Sequence, residues 1–307
     1  MFIAKHYNIF MYNITMTNRV ISIYFLVIAA FLYVFFGVAI RMIDTAMTPA
    51  IGVFSRLLLG TIIYYIIFSR HIRIPNLLSL SKKDYLYLTL MGTLGYSVYI
   101  LFISYGSLAT TLFGVAVALG TAPIWTYIFS MLFLKYKFSL KIVLFLALAI
   151  LGVIIMASGS SENLLKLNFF NDMGFLLILI SAMLSGVYAI LRNKLSDDVN
   201  NHEVSVMILT IASISSILLI FTEDTKIIYE NIFTSTLIIG LILGATLNII
   251  VAYLTNFAFK NINVVLGGQI LLLENVFAII IGYLLYNESL TLFQLFGAIL
   301  IIISAYI

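Results

Sequence analysis

The chain of 307 residues has no cysteine, three histidines and only 9% charged residues, and each shortage removes a class of function. Without cysteine there is no disulfide, no thiolate-held metal and no thiol nucleophile. His6, His71 and His202 are too few and too scattered along the chain to suggest a metal cluster. Neither GxxxxGKS/T nor HExxH occurs, which removes the signatures of an ATP-driven pump and of a zinc protease. No metal and no other cofactor is expected. A soluble domain carries about 25% charged residues; this chain has too few to cover a surface in water.

What is abundant is apolar: 63% of the residues. They fall into ten segments, at about 20–40, 48–69, 84–104, 109–134, 140–159, 172–192, 203–221, 233–256, 262–286 and 290–307. Each is near the roughly 20 residues a helix needs to cross a bilayer. None alternates at period two, so a β-barrel is disfavoured. The expected fold is an all-α membrane protein with the lipid bilayer as its main partner. Residues 1–19 are polar and aromatic without a signal-peptide core, and are expected to be a short cytoplasmic tail.

Basic residues set the orientation. With the N-terminus inside, Lys5, Arg19, Arg70, Arg73, Lys82, Lys83, Lys135, Lys137, Lys141, Arg192, Lys194 and Lys260 are cytoplasmic, and only Arg41, Lys166 and Lys226 lie outside. This asymmetry predicts two cytoplasmic termini. It also accounts for the net charge of +4 without any nucleic-acid partner.

A shift of 152 residues lays segments 3–5 on segments 8–10 almost without gaps: Gly92 on Gly244, Leu119 on Leu271, Ile128 on Ile280, Leu132 on Leu284 and Leu140 on Leu292. The same shift puts Ala30 on Ala182 and Leu32 on Leu184. The expected units are residues 20–160 and 171–307, five crossings each. An odd number of crossings inverts the second repeat relative to the first, which places a substrate site near the midplane between them.

The repeats carry matching patterns. In the first they are Gly92, Tyr99 and Tyr105, then Ala122-Pro123-Ile124-Trp125, then Leu134-Lys135-Tyr136-Lys137-Phe138-Ser139. In the second they are Gly244, Tyr253 and Phe257-Ala258-Phe259-Lys260, then Glu274-Asn275-Val276-Phe277, then Tyr286-Asn287-Glu288-Ser289-Leu290-Thr291. With Ser55-Arg56-Leu57-Leu58 in segment 2, this resembles the ten-helix, EamA-type branch of the drug/metabolite transporter superfamily, over about residues 22–307. Asn275 departs from the proline usual there, and the first-repeat turn lacks its glutamate near Tyr136. The resemblance implies a secondary transporter, not an enzyme, working by alternating access in the bacterial inner membrane. It implies a small-molecule substrate, with amino acids or their derivatives leading and export common. Nucleotide-like metabolites such as S-adenosylmethionine, purines and cationic drugs stay open, as do protons or a counter-substrate as coupling partner and a monomer or weak dimer as the assembly. A membrane-embedded lipid enzyme is the distant alternative, because no intramembrane His, Cys or Asp offers a nucleophile–base pair.

Candidate site residues follow from burial cost. Glu274 lies midway along segment 9, where a carboxylate costs roughly 2.5–3.5 kcal/mol, so it should face a cavity or a partner. Gly267, Ile270, Leu271 and Phe277 should share its helical face. Arg56, the only basic residue well inside a segment, should meet an anion, either a carboxylate partner or that of a substrate. Together the two would grip a zwitterion. Tyr96, Tyr99, Asn248, Asn275, Gln269 and Trp125 complete the candidate substrate-binding set, with Gln269 and the tyrosines also suited to interhelical packing. Pro123 is the expected helix break, symmetry-related to Glu274-Asn275. Glu288 reads as a turn residue, and Gly240 with Gly244 as a packing face inside the bundle.

Overall fold

The computed structural model describes residues 2–158, 172–221, 223, 234–286 and 290–305, and its regular elements are all helices. In chain order α1 is Phe2–Asp44, α2 Pro49–Phe68 and α3 Lys82–Ala109. Helix α4 comes in two halves, Leu112–Gly120 and Ala122–Phe133, and α5 is Leu140–Ser158. Helices α6, α7 and α8 are Met173–Lys194, Asn201–Ile220 and Ser235–Asn261. Helix α9 is again split, into Val264–Leu271 and Leu273–Tyr286, and α10 is Leu292–Ser304. Among the described residues nine of these are long and apolar enough to span a bilayer, and α10 is a shorter apolar helix. The chain is an all-α membrane protein of ten transmembrane helices in two inverted five-helix repeats.

Residues 2–19 are helical and continuous with α1, whose stretch long and apolar enough to span a bilayer begins at Met16. No glycine or proline precedes Gly37, so nothing interrupts the backbone ladder there.

Helix starts are marked by side chains that accept the otherwise unpaired N–H groups of the first turn. Asn200 with Glu203 and Thr291 with Gln294 form capping boxes on α7 and α10. Thr111, Asp172, Thr234 and Asn263 cap α4, α6, α8 and α9. The starts at Pro49, Leu112 and Leu140 recur 152 residues later at Asn201, Val264 and Leu292.

Packing obeys the same register. Helix α1 lies along α8 as α6 lies along α3; α2 packs on α7 and α5 on α10. Exchanging the repeats maps each of these pairs onto another or onto itself. Two hydrogen bonds join residues that are each other's equivalents: Thr61 Oγ1 to Ser213 Oγ at 2.9 Å, and the Tyr96 hydroxyl to the Asn248 carbonyl at 3.2 Å. They mark the pseudo-two-fold axis. Close approach depends on glycine. A Cβ on Gly297 would sit 2.6 Å from the Gly152 carbonyl oxygen, so α5 and α10 cross backbone to backbone. A Cβ on Gly240 would lie 2.8 Å from Met42 Cβ, which puts the Gly240–Gly244 face inside the bundle against α1 and α2.

Helix direction brings Arg70, Arg73, Lys82, Lys83, Lys135, Lys137, Lys141, Lys194 and Lys260 to one end, called the basic end below. There Glu203 is fully buried and accepts Arg73 Nε at 2.9 Å, Asn76 Nδ2 at 2.9 Å and the Asn200 amide at 2.9 Å, tying the α2–α3 connection to α7. His71 and His202, scattered in sequence, stack at this end with ring centroids 4.9 Å apart, and the Tyr64 hydroxyl lies 3.1 Å from His202 Nδ1. At the opposite end Glu223 bonds the Ala50 amide and the Tyr105 hydroxyl. Glu288, Lys166 and Lys226 lie outside the described residues.

Candidate functional site: a central cavity around Glu274

Both split helices break at mid-depth, and by different chemistry. In α4, Pro123 supplies no N–H, and the turn tightens so that the Thr121 amide bonds Ala118 and the Ile124 amide bonds Thr121. Its equivalent in α9 is Asn275. There the Leu272 amide bonds the Gln269 carbonyl, and the Leu272 carbonyl accepts both the Asn275 amide at 3.1 Å and Asn275 Nδ2 at 3.3 Å. The asparagine thus secures by hydrogen bonding the kink that proline makes by omission. Helix α3 is interrupted as well, by a π-helical stretch at Thr93–Val98 that swings Tyr96 and Tyr99 inward.

These three irregular helices, with α1, α6 and α8, enclose a cavity of about 660 Å³. That is the range of small-metabolite pockets. Glu274, Asn275, Tyr96 and Tyr99 all line it, as do Tyr33, Arg41, Thr126, Ser185, Tyr188 and Thr255. Tyr33 and Tyr99 are electrostatic neighbours of Glu274. Among the described residues the Glu274 carboxylate has no hydrogen bond and no ion pair. An unpartnered carboxylate beside such a space is a candidate site for a cation or a proton.

The cavity is closed at the basic end and open at the other. Lining residues Thr255, Phe259 and Tyr188 are buried, whereas Val38 and Leu108 near the mouth are exposed. The closure is built from named contacts. The Tyr188 hydroxyl donates to Asn256 Oδ1 at 2.6 Å, Asn193 Nδ2 donates to the Phe259 carbonyl at 3.3 Å, and Lys260 Nζ pairs with Asp197 Oδ1 at 2.9 Å. In repeat terms α6 packs on α8 and the first half of α9, while their equivalents, α1 against α3 and α4, are held apart by the cavity.

Four expected substrate-binding residues fall elsewhere, while Pro123 is at the helix break as expected. Arg56 is 1% exposed and lies behind Tyr96 against Gly244, with Nη2 bonded to Ser104 Oγ at 3.2 Å. It borders a separate void of about 10 Å³, so the predicted Glu274–Arg56 pair does not form one site. Arg41, expected in an outer loop, is the cation that lines the cavity. Trp125 turns its indole N–H to Thr121 Oγ1 at 3.2 Å and its backbone toward Gly186 of α6, away from the cavity. Asn248 is fully buried, with its side-chain amide unpartnered among the described residues. The Gln269 side-chain amide is likewise buried and unpartnered among the described residues; the break after Leu271 leaves it on the packed side. Pro123 is buried at the break itself, against Gly268. The kink also divides the face expected around Glu274: Leu271 joins it in the cavity, while Gly267 packs on Phe259 and Phe277 stacks edge-on with Phe31.

Tyr33, Ser185, Thr126 and Tyr188 escaped the sequence reading. A signal existed for three of them: Tyr33 with Ser185, and Thr126 with Ala278, are equivalents under the 152-residue shift, and all four line the cavity.

Comparison with known families agrees with this architecture. Residues 20–158 and 172–307 each match the EamA-like transporter family. The chain belongs to that family. The EamA-like fold is also seen in a solved crystal structure that superposes with a TM-score of 0.73 over 94% of this chain and 95% of the other, at 14% identity. At that identity the likeness shows the fold alone. No curated protein matches the sequence. Membership of this family makes the chain a multi-pass membrane protein of a transporter type.

Proposed function

We propose that the chain carries a small metabolite bearing an ammonium group, an amino acid or a close derivative, across a cell membrane by alternating access. The single observation that carries this reading is the unpartnered Glu274 carboxylate in a closed-ended cavity of about 660 Å³. Glu274 supplies the counter-charge for the ammonium, the tyrosines supply hydroxyls and ring faces, and Arg41 near the mouth supplies a partner for a carboxylate. Protonation of Glu274 in the empty carrier would let a proton exchange for the cationic group. The positive-inside rule puts the basic end in the cytoplasm, so the described state faces outward. One chain supplies every residue of the proposed site, which supports a monomer as the working unit.

The test is a thermal-shift panel on purified protein. It compares amino acids, the amines left when their carboxylates are removed, their N-acetylated forms and S-adenosylmethionine. The reading expects stabilisation by compounds with a free ammonium, loss of it on N-acetylation, and loss of it in Glu274→Gln. Stabilisation that survives both changes would remove Glu274 as the ammonium site.

A further inference from the structure

The 152-residue register relates not only sequences but states. Alternating access rocks one inverted repeat against the other around a fixed midplane site, and pseudo-symmetry makes each repeat's present conformation the template for the other's in the opposite-facing state. Residues that line the open cavity now should then be replaced by their equivalents. For six pairs the replacement changes nothing, because both members already line it: Tyr33 with Ser185, Ser107 with Phe259, Ala116 with Gly268, Leu119 with Leu271, Ala122 with Glu274, and Thr126 with Ala278. They form the part of the site common to both states.

Other lining residues have equivalents that are now sealed. Ile40 lines the cavity; its equivalent is Arg192. Tyr96 lines it; its equivalent is Asn248. Both equivalents are fully buried and both are anomalous: Arg192 lies below the cavity floor, whereas Asn248 lies behind Tyr96, about 10 Å nearer the open end than the floor residue Thr255. Among the described residues Arg192 has no hydrogen-bond partner on Nε, Nη1 or Nη2, and Asn248 has none on either side-chain amide atom. Asp197, the acidic group near Arg192, is paired with Lys260 and points to solvent. A guanidinium held this way is costly unless another state gives it a partner. Arg192 lies one turn beyond Tyr188 on the same face of α6, directly in line from the cavity to the basic end.

We propose that Arg192 forms a second binding station, exposed when the protein opens at its basic end, that takes the carboxylate of the substrate. Its unpaired guanidinium donors become available as the floor contacts part. Glu274 stays in the site throughout, so the ammonium keeps its counter-charge while the carboxylate passes from the Arg41 end to Arg192. This inference rests on the alternating-access reading above, and the experiment separates the two.

Because the chain contains no cysteine, single cysteines report accessibility without further engineering. Gly37→Cys, Ser185→Cys and Ala189→Cys are reconstituted in vesicles of known sidedness and treated with impermeant thiol reagents. One reagent carries a sulfonate and the other a trimethylammonium. Gly37 lines the present cavity; Ala189 is its equivalent, is now 1% exposed, and lies three residues before Arg192. Gly37→Cys should react only from the face opposite the basic end, Ser185→Cys from both, and Ala189→Cys only from the basic face. Beside Arg192 the sulfonate reagent should be favoured over the cationic one by about tenfold more at position 189 than at 185. Adding Arg192→Gln should abolish that preference and Arg192→Lys should keep it. The 189-to-185 comparison stands without either variant if they fail to fold. If Ser185→Cys reacts from both faces but Ala189→Cys is silent, or shows no anion preference, the second station is wrong and alternating access survives. If Ser185→Cys reacts from one face only, alternating access itself fails and takes the station with it.

Discussion

Thr61 and Ser213 share a 2.9 Å hydrogen bond across the boundary between the repeats, and each is the other's equivalent at a separation of 152 residues. Exchanging the conformations of the repeats exchanges the two residues and leaves their distance unchanged. Under the proposed alternating access, the contact between α2 and α7 is a fixed point about which the remaining helices would rearrange.

A disulfide placed there should be compatible with both states. Oxidation of the double variant Thr61→Cys, Ser213→Cys should leave a third cysteine at Ser185 reactive from both membrane faces. Restriction to one face on oxidation would show that α2 and α7 move against each other. The native bond itself is worth little, about 0.6 kcal/mol by comparison with other bonds between membrane helices, so Thr61→Val should lower unfolding stability by no more than about that.

Much of the fold was legible in sequence because helix length and period are local properties. Leu112 with Val264 and Leu140 with Leu292 begin equivalent helices at the register found by shifting the chain. Position 123/275 was recognisable as a break even though proline is replaced by asparagine, since the two residues are equivalent under the 152-residue shift and both helices split within two or three residues before it. The site was only partly legible. A buried charge announces that it needs company but not which wall it faces. Arg56, one helix layer back, and Arg41, at the mouth, could be told apart only by how α1 and α2 pack. Gln269 and Trp125 were misplaced for a related reason: the kinks re-aim each half-helix, and an unbroken 3.6-residue wheel no longer applies.

Glu203 illustrates what only tertiary structure reveals. It is a fully buried carboxylate whose acceptors satisfy Arg73, Asn76 and its own helix cap. Glu203→Ala should cost about 3 kcal/mol, because it strands several donors at once. Glu203→Gln, which keeps one acceptor, should cost less. Denaturant unfolding in detergent measures both, and a loss under 1 kcal/mol for the alanine variant would contradict the assignment.

The Lys260–Asp197 pair at the closed end makes a pH prediction. The hydrogen bond and charge of Lys260 hold the Asp197 carboxyl below its ordinary range. A depressed carboxylate contributes stability above its unpaired value, about 3.9, and loses it as pH falls through the lower paired value. Closure of the basic end should therefore be indifferent to this pair between about pH 5 and pH 8, and weaken only in stronger acid. Because the carboxylate is exposed, its worth is at most about 1 kcal/mol. Asp197→Asn should then raise thiol labelling at Ala189→Cys from the basic face by up to about fivefold, and the increase should be the same at pH 6 and pH 8. A difference between those pH values would point to another titrating group at the gate.

The central claim is that solute crosses through the cavity beside Glu274, and counterflow in proteoliposomes tests it most directly. Vesicles are loaded with the amino acid or amine that gives the largest thermal shift, and uptake of the labelled compound is followed over time. The account predicts saturable, transient accumulation by the native protein, reduced at least about tenfold in Glu274→Gln although that variant remains folded and inserted. Equal counterflow by the native protein and Glu274→Gln would contradict it.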